Sequence, residues 1–372
     1  MCEFLDEFDY LIHLIKAAIH NEQPKEIPDG LQFDLVYKYG VSHHVANIAF
    51  YSTSKLERKP DLALYREWKE CCDRAVVREF TQSFAREEIT AEFEQANIRY
   101  LEPQGTQIKK LYPQPEYRTM SDQDFIIDID NLLKAKEILE RLGYECKVMR
   151  DEEVDAFRPP NINVEVHTAY FPKKSEFYHV MRPPFSTVEE NGEYDLNELY
   201  IYNLLHIAKH YTKGGFGIRR VLDVYYLNLH YGKVIDQQYV RAVFQSAKVE
   251  SFVDELMSLA KQWFCSGEGS SERNELAAFV LGSGVHGTWH NYITSELKAS
   301  HREGIPFFKV KYFFKRLIGT KKDMYVTYPV LKRWKVLYPF CWMHRLFSVM
   351  KPSKRKRIRQ ELKTVIRTDL KN

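Results

Sequence analysis

Asp122 and Asp124 stand two residues apart in Ser121-Asp122-Gln123-Asp124-Phe125-Ile126-Ile127-Asp128, at the head of an apolar run. Side chains two apart on a strand share a face, so the spacing predicts two carboxylates side by side at a strand end. An oxygen-rich pair of this kind suits Mg²⁺, and through it the handling of phosphates. A lone Asp-x-Asp is a weak signal, because acidic strand ends are common on surfaces. Its surroundings give this one more weight. Asn161 to His167 alternates strictly, with Ile162, Val164 and Val166 on one face and Asn163, Glu165 and His167 on the other. If that strand lies beside the acidic one, Glu165 is a third carboxylate for a two-metal site; otherwise Glu165 and His167 simply face solvent.

Several elements must position these groups. Ile98 to Leu101 reads as a short strand ending at Pro103-Gln104-Gly105-Thr106, and a helix-like stretch with Ile108 and Leu111 on one face follows. Glycine at such a turn lets backbone N–H groups approach a phosphate closely, or serves only to make the turn. The connector Tyr112-Pro113-Gln114-Pro115-Glu116-Tyr117-Arg118 leads into the acidic strand. Asn131 to Leu142 carries a helical apolar stripe, Leu132, Leu133, Ala135, Ile138, Leu139 and Leu142, with Gly143 at the stop position. Tyr144 to Val148 reads as another strand. Arg118, Lys109 and Lys110 are candidates to neutralise a polyphosphate, although the two lysines fit a solvated helix face better.

Further along, His206 and His210 share a helix face four residues apart. No third ligand at a standard zinc spacing accompanies them, so structural or substrate contacts fit better than a metal. Asp223 is placed to pair with one of them or with Arg219. Lys213-Gly214-Gly215-Phe216-Gly217 lacks the spacing and trailing Lys-Ser/Thr of a phosphate-binding P-loop.

This series of motifs resembles the uncharacterised nucleotidyltransferase family of the DNA polymerase beta superfamily. The series is Gly, helix, Tyr-Pro-x-Pro-x-x-Arg, Ser-Asp-x-Asp, helix, Gly-Tyr, Val-Glu-Val-His, then His206-Ile207-Ala208-Lys209-His210 and Arg219-Arg220-Val221-Leu222-Asp223. Members are often encoded near polysaccharide or modified-peptide biosynthesis genes. The resemblance implies an α+β fold, a small mixed β-sheet core flanked by N-terminal and C-terminal helical segments. It implies Asp122, Asp124 and Glu165 as catalytic metal ligands for Mg²⁺, with a two-metal site. It implies a nucleoside triphosphate bound at Gly105, Thr106, Arg118 and Lys109, and an acceptor pocket lined by His167, His206, His210 and Asp223. Gln104 stands where the family usually has Lys, and Gly105-Thr106 where the superfamily prefers Gly-Ser. The expected activity is transfer of a nucleoside monophosphate from the triphosphate to a small molecule, peptide or protein hydroxyl. The rival reading is a catalytically degenerate protein that keeps the fold for binding or assembly, at a membrane where polysaccharide is made. Phosphoryl transfer by the same ligands is a third.

The 372 residues divide by pattern into an N-terminal helical segment over 1–95, a mixed core over 96–185, a helical region over 186–300 and a basic, aromatic helical segment over 301–372. In the first of these, Phe4, Leu5, Phe8, Leu11, Ile12 and Ile15 recur at helical spacing, a second helix runs from Phe33 to near Ser52, and a third runs from about residue 60 to 97 with Trp68, Val76, Val77, Phe80 and Phe84 as its apolar positions. No run of 18 or more apolar residues is present, and the acidic start of the chain is unlike a signal peptide. Six scattered cysteines form no Cys-x-x-Cys pair, which fits a reduced, cytoplasmic compartment. The net charge of +3 hides an asymmetry: from residue 301 onward 20 Lys/Arg face 4 Asp/Glu, a net +16, leaving −13 on the remainder. The basic segment, with Lys354-Arg355-Lys356-Arg357 as its densest cluster, fits a solvated helical lobe or contact with an anionic membrane surface on its inner face. Nucleic acid is the least supported partner, since no RNA-binding motif accompanies the charge.

Overall fold

The computed structural model describes residues 6–149, 152–186, 195–266, 274–284, 324 and 328–349. The chain divides into two compact units. One comprises residues 1–209 and 216–285, and the other comprises 210–215 and 286–372.

The first unit holds the sheet. Its strands are β1 (Tyr100–Leu101), β2 (Gln123–Ile127), β3 (Glu145–Met149), β4 (Glu153–Arg158) and β5 (Ile162–His167), in the order β1-β2-β5-β4-β3. β2 and β5 run parallel; every other neighbouring pair is antiparallel. The fold is therefore α+β with a mixed sheet, as expected, and the sheet has five strands. β4 is the strand that the pattern did not show. It forms a hairpin with β5 through register pairs from Arg158↔Ile162 to Glu153↔His167.

Helices α1 (Glu7–Ile19), α2 (Phe33–Ser42), α3 (Ala46–Thr53) and α4 (Leu62–Gln95) precede the sheet. Asp6 and Asp61 cap α1 and α4, each carboxylate accepting two first-turn N–H groups. The single helix expected over 33–52 is two, because His44 adopts a left-handed backbone (φ 55°) and turns the chain between them. α4 buries Trp68, Cys72, Ala75, Ala85, Ile89 and Phe93, whereas the expected apolar positions Val77, Phe80 and Phe84 are exposed.

α5 (Gly105–Lys109) lies between β1 and β2, and α6 (Leu132–Arg141) between β2 and β3. Gly143 ends α6 in a left-handed conformation (φ +85°), so that Tyr144 N–H reaches back to the Leu139 carbonyl. Leu133, expected in the stripe of α6, is exposed. Phe125 and Ile127 of β2, Val164 and Val166 of β5, and Val154 and Ala156 of β4 pack with α4 and α6 in one core cluster. The alternate residues of the same strands therefore point to the opposite face.

After the sheet come α7 (Leu196–Thr212), α8 (Ile218–Tyr231), α9 (Gln237–Ser246), α10 (Glu250–Phe264) and α11 (Glu275–Leu281). The larger core cluster joins residues of α1, α2, α3, α7, α8, α10 and α11 with Ile126 of β2. Early and late helices thus share one interior. Two imidazoles tie them: His20 Nε2 meets the Phe264 carbonyl at 2.7 Å, and His43 bridges the Leu281 carbonyl (3.2 Å) and the Ile218 N–H (3.2 Å). Because Ile218 donates to Nδ1, Nε2 of His43 carries the proton. Burial pushes this imidazole down to about 4, so it is neutral.

In the second unit the described residues include α12 (Tyr338–Val349), and Tyr328 and His344 are hydrogen-bonded at 2.8 Å. Most of the basic aromatic segment, including Lys354 to Arg357, lies outside the described residues. Among the described residues no helix is long and apolar enough to cross a membrane.

Candidate active site

The parallel pairing of β2 with β5 sets Asp124 directly opposite Glu165, and Ile126 opposite His167. β4 adds Asp155 opposite Glu165 and Glu153 opposite His167. Asp124, Glu165 and Asp155 therefore form a row across three strands, on the face away from α4 and α6. Asp122 continues the period-2 spacing one step ahead of β2. The start of this strand is held by α4: Gln123 donates to the Gln82 carbonyl (2.6 Å), and Gln82 donates to the Met120 carbonyl (3.2 Å).

This face carries an excess of negative charge. Burial, then Asp124 and Glu165, raise Asp122 to about 6, although Arg220 and Arg219 pull the other way. His167 supplies a local counter-charge. Its Nε2 lies 3.3 Å from Asp124 and 3.4 Å from Glu165, and Nδ1 lies 3.7 Å from Glu153. Burial alone would lower this imidazole, but its bonds to Asp124 and Glu165 and the charges of Asp124 and Glu153 carry it up to about 10. The residue expected in the acceptor pocket thus stands among the carboxylates.

Among the described residues two sets of side chains offer ligand atoms lying within 4.8 Å of one another: Asp124, Glu165 and His167, and Glu153, Asp155 and Glu165. Hard carboxylate oxygens with one imidazole nitrogen fit a divalent cation. The expected set of Asp122, Asp124 and Glu165 is brought to one place electrostatically, but the closest-lying ligand atoms include those of His167 and not those of Asp122. Sequence reasoning missed Glu153 and Asp155 because it missed β4; their alternation in Glu153-Val154-Asp155-Ala156 is the signal that was there to find.

Further candidates lie on α5 and α7. Gly105 opens α5, where a Cβ would fall 2.3 Å from Met120 Sδ and 3.3 Å from Arg118 Nη1, so close packing calls for glycine there. Thr106 follows it, half-buried. Gln104 is buried, and its amide donates to Nδ1 of His206 at 2.7 Å. That ring stacks on Tyr202, whose own hydroxyl feels the charges of Asp124 and Asp122. Gln104 is therefore engaged in placing His206. His210 lies one turn further along α7 and belongs to the second unit.

The chain matches the family model described as uncharacterised nucleotidyltransferase over residues 29–265, more than half its length. The protein belongs to this nucleotidyltransferase family. No curated protein and no solved structure matches it. The matched region contains the whole sheet and α2 to α10, hence every group described above. Family membership supports a general role in nucleotidyl transfer, with a nucleoside triphosphate as the substrate that such a transferase implies.

Three expected roles meet different surroundings in this nucleotidyltransferase. Arg118 is buried and forms a two-pronged pair with Asp223: Nε donates at 2.8 Å and Nη2 at 2.9 Å. Tyr112 Oη donates to the same carboxylate at 2.7 Å. Arg118 is thus committed to protein, and Asp223 pairs with Arg118 rather than with a histidine or Arg219. Burial would raise the Asp223 carboxyl, but Arg118, Arg220 and Arg219 hold it below the usual range. Lys109, expected on a solvated face, is buried and paired with Glu79 of α4. Burial lowers its pKa despite that partner. The physical reason is common to both: a cation on a short element packed beneath α4 or α8 has no water to solvate it, so the fold provides a carboxylate.

Proposed function

We propose that the protein is a Mg²⁺-dependent nucleotidyltransferase that moves a nucleoside monophosphate from a triphosphate to a hydroxyl acceptor. The observation that carries this reading is the β2/β5 register, which sets Asp124 beside Glu165 with Asp122 one step ahead, inside the segment matched to the family. Asp122, Asp124 and Glu165 would hold the metal, and His167, whose ring proton the incoming cation would displace, would offer a nitrogen at the same place. When bound, the divalent cation neutralises charge on the phosphates and on the attacking and leaving oxygens of an in-line displacement.

The chain's own residues would do the rest. Glu165, more exposed than Asp124, takes the proton of the acceptor hydroxyl. The hydroxyl oxygen bonds to the α-phosphorus, the bond to the bridging oxygen breaks, and pyrophosphate leaves with that electron pair. Gly105 and Thr106 flank the phosphates. His206, fixed by Gln104 and Tyr202, lines the acceptor side. Positioning and charge neutralisation supply most of the catalysis.

Calorimetry with ATP, GTP, CTP and UTP, each with and without Mg²⁺, tests this. Metal-dependent binding of at least one triphosphate is expected, and its loss in the Asp122→Asn/Asp124→Asn variant. Failure of all four to bind would favour a degenerate scaffold instead.

A further inference from the structure

The start of α8 carries a buried positive surplus. Arg219 and Arg220 follow its first residue, and Arg118 lies close enough to depress both. Among the described residues the carboxylate in ion-pair contact with this trio is that of Asp223. It is saturated by Arg118 and Tyr112, and Arg220 approaches it only at 3.5 Å.

Arg219 is the least provided for. It is 7% exposed, and its one hydrogen bond among the described residues runs from Nη1 to the Thr119 carbonyl. Its Nε–H is buried with no acceptor. Burial, then Arg220 and Arg118, pull its pKa down to about 9. A guanidinium so placed costs stability unless an anion completes it.

Its position says which anion. Thr119 lies three residues before Asp122, and both arginines act on the Asp122 carboxylate; Arg220 acts on Asp124 as well. The fold therefore sets a cation-poor acidic face beside an anion-poor basic one. A metal-bound polyphosphate is a ligand that satisfies both. His43 anchors this arrangement by accepting the Ile218 N–H immediately before the two arginines.

We propose that Arg219, with Arg220 beside it, binds the β- and γ-phosphates of the nucleotide and retains the pyrophosphate product. This rests on the nucleotidyl-transfer reading for the name of the ligand. Planar guanidinium donors match phosphate oxygens two at a time, which a lysine cannot do.

The experiment is calorimetry and thermal melting with sodium pyrophosphate in EDTA, on wild type, Arg219→Met and Arg219→Lys. Wild type is expected to bind pyrophosphate without metal and to melt at higher temperature with it. Arg219→Met should melt no lower than wild type when ligand-free, since it loses a poorly bonded buried charge. It should bind pyrophosphate at least tenfold more weakly. Arg219→Lys should fall between the two, and it decides the matter if the methionine variant does not fold. Unchanged affinity in either variant, or no pyrophosphate binding by wild type, overturns the proposal. Metal-dependent nucleotide binding that survives in Arg219→Met removes this inference alone. Arginine-dependent pyrophosphate binding without any metal-dependent nucleotide binding removes nucleotidyl transfer and leaves the anion site.

Discussion

The Arg118–Asp223 pair and the acidic face of β2, β5 and β4 are both charged and largely withdrawn from water, yet they are built on opposite principles. Around Asp223 each oxygen has a donor: Arg118 and Tyr112 on one, Arg118 on the other. Around Asp124 and Glu165 the carboxylates outnumber the one cation in ion-pair contact with them among the described residues, His167, which three carboxylates share. A closed cluster locks α8 to the connector before β2. An overcharged one is poised for a ligand that the chain does not itself supply. A charge pattern alone reveals neither role; the balance of donors and acceptors separates them.

The sharpest way to break this contrast is to remove one carboxylate from each cluster. Asp124→Asn should abolish transfer, a loss of about a thousandfold or more, because charge neutralisation at the phosphates is worth several kcal/mol. The same variant should melt close to the wild-type temperature, since relief of repulsion with Asp122 offsets the weakened contact to His167. Asp223→Asn should do the reverse, costing about 3–5 kcal/mol in urea unfolding by leaving Arg118 buried and unpaired. If the two variants behaved alike, the distinction between closed and open clusters would collapse.

His43 sharpens the contrast through pH. Its folded pKa of about 4 lies below the ordinary 6.5, so protonation favours the unfolded chain. Its contribution is complete above about pH 6.5 and is lost as pH falls toward 4, by up to about 3 kcal/mol. The urea midpoint of His43→Gln should be lower than wild type near neutrality and flatter across that window. A wild-type curve parallel to that of the variant would show that His43 does not carry the titration. Smallest in effect is Gly105→Ala. Its new methyl displaces Met120, a flexible neighbour, so a loss of about 1 kcal/mol is expected, and in Gly105→Ala/Met120→Ala the combined cost should be less than the sum of the two single changes.

Much of the reactive face was legible in the residue order. Period-2 spacing put Asp122 with Asp124 and Glu165 with His167, and it left open whether the two strands are neighbours; the parallel pairing that joins them is visible only in the fold. What escaped was the neutralisation of individual charges. Nothing in Lys109 or Arg118 as letters distinguishes a solvated cation from one buried against Glu79 or Asp223, because the partners lie 30 and 105 residues away in the chain. Exposure of Phe80 and Phe84 was likewise unreadable: α4 is 34 residues long, and its register toward the core is set by Trp68, Ile89 and Phe93, not by its most apolar positions. β4 hid because its polar residues look like a loop until Glu153 and Asp155 find β5 beside them.

Mn²⁺ binding, read by electron paramagnetic resonance as loss of the free-ion signal, tests most directly whether the acidic face is a metal centre. Wild type should sequester the ion with Mg²⁺ competing, while Asp124→Asn and Glu165→Gln bind at least tenfold more weakly and Asp223→Asn, where it stays folded, binds as wild type does. Absence of bound Mn²⁺ in wild type, or undiminished binding in Asp124→Asn and Glu165→Gln, would contradict the account.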